Sequence, residues 1–394
     1  MTAPRRRVCM SSGAAAWIVA RCTGPRVRRW AAVLGFAVAS GGATGGAMAD
    51  DGGMFYGMLR ERDLTPFGYL RLDMRPAYAV TIEPGTWALE FNLGYQNTWA
   101  LSERVEDYLT SLAPSGRRTL GPADWQAIQA LPGENYLLDM EGATLDATLH
   151  YKFSSNWTAY LIVSAASYQG GFLDSTIESF HRMFGFSTFG RPAVRRNDFN
   201  LLYDLRSAQV MQFAPPTDGG LLDPTVGLHY VGWKLPGRWA LALEAAAKVP
   251  VSGERRMLST GHFDYGAQAT LQWRGIRHAF YGSLSAVDYG GAEWPVPEER
   301  RIIPTLVLGY EYRLTASTNL NVQAYVSESV YTRKQTGLSE LRGAKYQYSV
   351  GFRRRFDRLV FTFGFTENVQ NIDNTPDLGF QLGLAYVPHP VAAR

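Results

Sequence analysis

From Thr86 onward, apolar and polar positions alternate with a period of two over most of the chain. Trp87, Leu89, Phe91, Leu93 and Tyr95 alternate with Ala88, Glu90, Asn92, Gly94 and Gln96. Successive side chains of a strand point to opposite faces, so this run predicts a strand with one apolar and one polar side. Ala143, Leu145, Ala147, Leu149, Tyr151 and Phe153 repeat the pattern against Thr144, Asp146, Thr148, His150 and Lys152. A tight turn at 154–156 leads into a third run, 157–168. After residue 223 the alternation returns in nine runs: 224–235, 239–249, 262–273, 278–288, 302–314, 319–331, 344–356, 359–368 and 377–387.

Two stretches break the period. Residues 101–139 are polar and carry the breakers Pro114, Gly116, Pro122 and Pro132, with a short helix predicted over 122–131. Residues 169–223 hold a weaker strand candidate at 198–205 and, before it, a helix. Ser175 with Glu178 three residues on reads as a capping box, and Asp174 suits a positive helix start. Ile177, Phe180 and Phe184 fall on one face; Asp174, Glu178 and His181 fall on the other. Gly185 is placed to stop the helix.

Connection lengths give the topology. Short turns at 154–156, 235–238, 274–277, 315–318 and 357–358 alternate with longer connections at 101–139, 169–223, 250–261, 289–301, 332–343 and 370–376. Transmembrane barrels alternate in this way, with short periplasmic turns and long external loops. The 169–223 stretch then starts and ends on the outer side, and the spanning strands number about twelve, an even count. Trp87, Trp157, Trp239 and Trp273 all fall near the short-turn end, where an indole is stable at a membrane interface. The predicted fold class is all-β: an antiparallel transmembrane β-barrel spanning 86–387, with a short helix in a long external insert.

Composition changes the picture mainly at the start. Seven of the 39 basic residues, none of the 35 acidic ones and both cysteines (Cys9 and Cys22) lie within 1–49. A basic stretch, the apolar run 30–40 and an Ala47-Met48-Ala49 site read as a secretory signal peptide cleaved near Ala49. The remainder carries 32 basic against 35 acidic residues, so the formal charge moves from +4 to about −3 and nucleic acid is not an expected partner. Without cysteine it has no disulfide framework or thiolate metal site. Residues 50–85 read either as a periplasmic lead-in or as a plug for the lumen, and 388–394 as a periplasmic tail.

The predicted lumen face carries Glu90, Asp146, His150, Lys152, Glu244, Lys248, Asp264, Glu311, Arg313, Lys345, Arg353 and Arg355. Charges there must be wetted or paired. They either line a water-filled pore or form a network that seals it, and their mixed signs argue against strong ion selectivity. Asp174, Glu178 and His181 share a helical face, and Glu178-x-x-His181 is a spacing that lets a carboxylate and an imidazole reach one metal. The blander account is that the carboxylates serve the helix start and His181 is a polar-face residue over the mouth. That account is preferred, so neither a metal nor a cofactor is expected.

Three stretches resemble a family of bacterial exported β-barrel proteins known only as a domain of unknown function. They are GGFLDSTIESFHRMFGFSTFGR (170–191), LLDMEGATLDATLHYKF (137–153) and FGFTENVQNIDNTPDLGFQLGLAY (363–386). The resemblance covers nearly all of the chain after 49 and implies an outer-membrane location, with no established activity. The last strand, 377–386, also looks like the signal read by the barrel-assembly machinery, an expected partner in biogenesis. The chain departs from that signal by continuing past Tyr386 with VPHPVAAR.

The leading functional reading is a channel or transport protein for small molecules. In it the 169–223 insert gates the mouth, and Asp174, Glu178, His181 and Arg191 shape the constriction. The second reading is an outer-membrane lipid- or peptide-modifying enzyme using Asp174, Glu178 and His181; the third is a sealed structural or partner-binding barrel. Outer-membrane lipids are the expected surroundings in each.

Overall fold

The alternating runs close on themselves. The computed structural model describes residues 54–76, 82–368 and 370–388; the proposed signal peptide lies outside them, and so does most of the tail. Fifteen strands occur among these residues: β1 (Trp87–Leu101), β2 (Asn135–Lys152), β3 (Trp157–Gln169), β4 (Asn200–Leu205), β5 (Ala208–Gln212), β6 (Gly219–Leu221), β7 (Thr225–Lys234), β8 (Trp239–Lys248), β9 (Asp264–Arg274), β10 (His278–Tyr289), β11 (Arg301–Arg313), β12 (Thr318–Ser327), β13 (Lys345–Phe356), β14 (Leu359–Glu367) and β15 (Leu378–Tyr386). Twelve of them, β1–β3 and β7–β15, form the wall. Each is antiparallel to its neighbours, and β15 pairs back onto β1 from Leu89↔Tyr386 to Asn97↔Leu378. Closure leaves no open edge, so wall backbone groups find partners within the sheet, as a hydrocarbon layer demands.

The two faces separate by chemistry. Outward positions such as Phe91, Leu93, Leu145, Leu284, Leu308, Val350, Leu382 and Leu384 are exposed and apolar. Inward positions such as Asn92, Asp146, Gln268, Ser283, Asn321, Ser349 and Gln381 are polar and buried. A water-soluble protein has the opposite order, whereas a barrel that meets lipid with its outer band has this one. At the short-turn end Trp87 stacks on Tyr151 at 4.2 Å, Trp157 lies 4.8 Å from Tyr230, and Trp239 pairs with Trp273. These rings begin an aromatic girdle.

Beyond the band the wall grows taller on one side. β1 has 15 residues and β2 has 18, whereas about 9–11 residues cross a bilayer. The top of β2, Asn135–Asp139, lies past the end of β3 and pairs instead with β4. The weak strand candidate within 198–205 is therefore an extension of the wall above the membrane. β5 pairs with β4, and β6 with the upper part of β3.

Four α-helices occur among the described residues: α1 (Glu103–Leu112), α2 (Pro122–Gln129), α3 (Asp174–Phe184) and the one-turn α4 (Ser339–Arg342). α2 falls where the sequence places a helix. α1 is additional: of its ten residues only Val105 and Leu109 are buried, too few to raise a periodic signal in a charged stretch. α3 begins at Asp174 with Leu173 as N-cap and no side-chain cap, so the Ser175/Glu178 capping box does not form. Gly185 closes it in the left-handed conformation, as expected.

Because Leu382 lies mid-strand on the outward face, Leu382→Arg should lower the unfolding free energy in a phospholipid bilayer by about 2–4 kcal/mol. A urea titration of the reconstituted barrel checks this; an unchanged midpoint would mean that this face does not meet lipid.

Candidate functional site

The lumen-facing charges are held by a second piece of chain. Residues 54–76 enter the barrel near the short-turn end, rise to the long-loop end and turn back. At the bottom the amides of Tyr56 and Gly57 donate to Glu311 at 2.8 and 2.9 Å. Arg353 donates to the carbonyls of Tyr56 and Met58, and Asn321 to that of Gly57 at 2.9 Å. Arg313 lies 5.8 Å from the Phe55 ring, and Arg355 donates to Met54 Sδ. Higher up, Gln381 donates to Arg60 O at 2.9 Å, while Gln96 both accepts from Leu64 N and donates to Arg62 O. On the return, Leu72 N donates to Asp264 at 2.7 Å, and Lys248 donates to Leu70 O at 2.9 Å.

Ion pairs add to this. Arg60 meets Glu90 at 3.5 Å, and His150 lies 3.6 Å from the same carboxylate. Asp146 takes Arg75 at 2.8 Å and Arg62 at 3.3 Å, and Lys345 takes Asp63 at 2.5 Å. Lys248 pairs with Asp264 at 2.9 Å, and Glu244 accepts from Tyr160 at 2.8 Å. Lys152 is buried at the short-turn end. Thus all twelve lumen candidates face inward, and most of them touch the 54–76 segment. Of the two alternatives for these charges, the paired network is the one the geometry builds, with the segment supplying the missing partners.

The tip of the segment is apolar. Phe67, Tyr136, Tyr203, Tyr289 and Tyr331 are almost fully buried and belong to one cluster that fills the long-loop half of the barrel. Gly68 turns the tip at φ +89°, and a Cβ there would stand 2.5 Å from Val330. A polar cavity beside Arg62, Asp73, Arg75 and Lys248 measures about 20 Å³, which is room for water alone.

The insert is elsewhere. Tyr95, Asn97, Trp99 and Leu101 have the same strand parity as the exposed Phe91 and Leu93, so they point away from the lumen. They are buried because the insert and the β1–β2 connection cover them. Arg191 bonds Asp174 at 2.8 Å, Asp377 at 2.6 Å and Asn97 at 3.0 Å, with its guanidinium 4.8 Å from the Trp99 ring centre. Glu141, also outward, accepts from Tyr95, from Asn97 and from the amides of Phe172 and Leu173. Gly171 fits over it because a Cβ would overlap the Glu141 carboxyl.

Both Glu178 oxygens accept from Arg117 at 2.7 Å, and Oε2 also accepts from Arg196 at 2.7 Å. Burial alone would raise this carboxyl, but the bonds from Arg196 and Arg117 outweigh it and hold it below the usual carboxylate range. His181 donates from Nδ1 to Ser187 O at 2.7 Å. The expectation that Asp174, Glu178, His181 and Arg191 shape a pore constriction is therefore corrected: they fasten the insert to the outside of the wall at its long-loop end. The burial does not follow the two faces: Asp174, Glu178 and His181 are buried together with Ile177, whereas Phe180, Met183 and Phe184 are exposed. Nor do the three polar residues form an acid–base set, since each is committed to a different partner. Sequence reasoning missed Arg60, Arg62, Asp63 and Arg75; the Arg-Glu-Arg-Asp run at 60–63 was the available signal, but not its partners.

A family model described as "Protein of unknown function (DUF3187)" matches residues 48–387. The chain belongs to this family. No curated protein matches the sequence. Among solved structures, this DUF3187 protein is similar to the COG4313 outer membrane channel from Pseudomonas putida F1, at 11% identity and TM-score 0.48, covering 80% of this chain and 98% of that one. It is also similar to the P. putida toluene transporter TodX, at 9% identity and 0.34, covering 78% and 91%. The translocator domain of autotransporter NalP from Neisseria meningitidis gives 10% and 0.34, covering 77% and 89%. These likenesses carry no argument about solute or mechanism.

Glu178 makes docking of the DUF3187 insert pH-dependent. Its folded pKa is depressed, so its contribution is present above the unfolded carboxylate pKa of about 4.3 and is lost as pH falls through the folded value. Hydrogen exchange across 174–196 should be slow at pH 7 and 5 and faster below about pH 4. Glu178→Gln should weaken docking at neutral pH and remove that step. An acid step that persists in Glu178→Gln would assign it to another group.

Proposed function

We propose that the protein is an outer-membrane channel for small molecules, held closed at rest by its own N-terminal segment. The single observation that carries this reading is the bonding of 54–76. Its lower half is held mainly by polar side chains of the wall, through bonds to its backbone such as Glu311 to Tyr56 and Gly57. Each such bond to a charged group contributes about 1.5–3 kcal/mol, and water can take the place of either partner when the segment moves. The lower half can therefore shift within the lumen without unfolding the barrel, while the ion pairs of Arg60, Arg62, Asp63 and Arg75 and the Phe67 tip hold the rest. The passage it would open has charges of both signs, which suits neutral or mixed-charge solutes better than one class of ion.

Location belongs to the same proposal. The outward apolar band, the short-turn girdle and the export signal expected within residues 1–49 support residence in the outer membrane, and the alternation of the last strand supports assembly by the barrel-assembly machinery. Gating by the insert is not part of it, because Asp174 and Arg191 lie outside the wall.

A sealed structural barrel is the second reading. The apolar packing of Phe67 with Tyr136 and Tyr331 at the long-loop end favours it. Planar-bilayer recordings separate the two. In a chain carrying Cys9→Ser and Cys22→Ser, Glu61→Cys and Ser349→Cys can be joined by a short thiol-reactive linker, because the native side chains touch. The linked protein should show no openings. Arg353→Gln, which loosens the segment at Tyr56 and Met58, should open more often than the unaltered chain. Equal conductance with and without the linker would remove the gating role, and silence of the folded Arg353→Gln barrel would favour the sealed reading.

A further inference from the structure

Among the described residues, nothing covers the aromatic face of α3. Phe172, Phe180, Met183 and Phe184 are 57, 47, 77 and 57% exposed. Phe180 and Phe184 lie 4.7 Å apart, and Phe186 stacks on Phe184 at 6.0 Å. Contiguous exposed aromatic surface of this kind marks a place of contact.

What it contacts follows from where it sits. The outward apolar band runs up the wall through Phe91 and Leu93 on β1 and through Leu384 and Leu382 on β15. Its next positions are Tyr95 and Phe380, whose rings stack at 5.3 Å. There the band passes beneath α3. Tyr95, Leu173 and Ile177 form one buried cluster against Ala143, Leu378 and Phe380, and Phe172 lies 5.0 Å from Tyr95. The helix thus lies on the outer wall directly above the lipid-facing band, and its aromatic face continues that band outward. Its charged face turns away from lipid, because Arg191, Arg117 and Arg196 neutralise Asp174 and Glu178 there. Arg182, in the last turn of α3, is exposed and bonds Ser179.

The geometry points to α3 as an interfacial anchor, with Phe180, Met183 and Phe184 seated in the outer leaflet at the boundary between acyl chains and headgroups. Amphipathic helices lie in the plane of that boundary with their apolar face buried, and flanking arginines reach the anionic headgroups. The helix would fix the height of the barrel. Because Arg191 joins α3 to Asp377 at the start of β15, it would also tie the leaflet to the rim of the wall. This inference rests on the barrel's lying in a bilayer, and the test separates the two.

A polarity-sensitive fluorophore is attached at Met183→Cys, at Leu382→Cys in the band or at Gly253→Cys in an exposed loop, each in the Cys9→Ser, Cys22→Ser chain. The protein is reconstituted in phosphatidylglycerol-containing vesicles, and quenching by spin-labelled lipid is compared with quenching by aqueous iodide. The Met183 label should lose most of its emission to the lipid quencher and little to iodide, as the Leu382 label does. Iodide quenching of Met183 as strong as that of Gly253 overturns the anchor. Shielding from both quenchers also overturns it, in favour of a protein covering this face. If the Leu382 label escapes lipid quenching, the membrane-barrel reading itself fails.

Discussion

Twelve tilted strands enclose more space than their inward side chains fill, and this constraint shapes the rest of the molecule. Here the inward faces are charged, so the space can be neither empty nor oily. The chain answers with its own residues 54–76. Their backbone supplies donors to Glu311 and Asp264 and acceptors to Arg353, Lys248 and Gln381. Their side chains supply Arg60, Arg62 and Arg75 to Glu90 and Asp146, and Asp63 to Lys345. Truncating one partner of such a buried pair leaves the other uncompensated, which typically costs about 3–5 kcal/mol. The wall and the threaded segment therefore specify each other. The apolar tip at Phe67 fixes how far the segment rises, and the polar stem fixes its path.

The outer wall solves a related problem. Glu141, Asn97 and Asp139 point outward at the tops of β1 and β2, where a bare polar wall would meet water. Instead the insert and the β1–β2 connection fold down over them. Arg191 is the central link, because one guanidinium satisfies Asp174, Asp377 and Asn97 while lying on Trp99. An arginine suits this role through its planar fork of donors. The insert is thereby a bracket on the outside of the barrel, with its aromatic face left toward the leaflet and the lumen left to the N-terminal segment.

The barrel was legible in the sequence because its wall obeys one period. The residues of β8, β13 and β15 alternate almost without exception, and the turn lengths supply the topology. The lumen face followed from the same parity. The path of 54–76 was not legible, since it is held by side chains of distant strands, such as Arg353 on Met58, and such bonds impose no period on the sequence. The partners of the polar face of α3 were not legible for a similar reason. A face bearing Asp174, Glu178 and His181 looks solvent-facing until Arg117, 61 residues earlier, is known to stand against it. The apparent capping box misled because Glu178 is already bound to arginine.

The measurement that tests the account most directly is residue-resolved hydrogen exchange of the refolded barrel at the amides of Tyr56, Gly57, Leu64 and Leu72. Each donates to a wall side chain inside the lumen. The account predicts exchange nearly as slow as that of the amides in β1 and β15. Exchange at the rate of an unstructured peptide would contradict it, because the lumen would then not be filled by this segment.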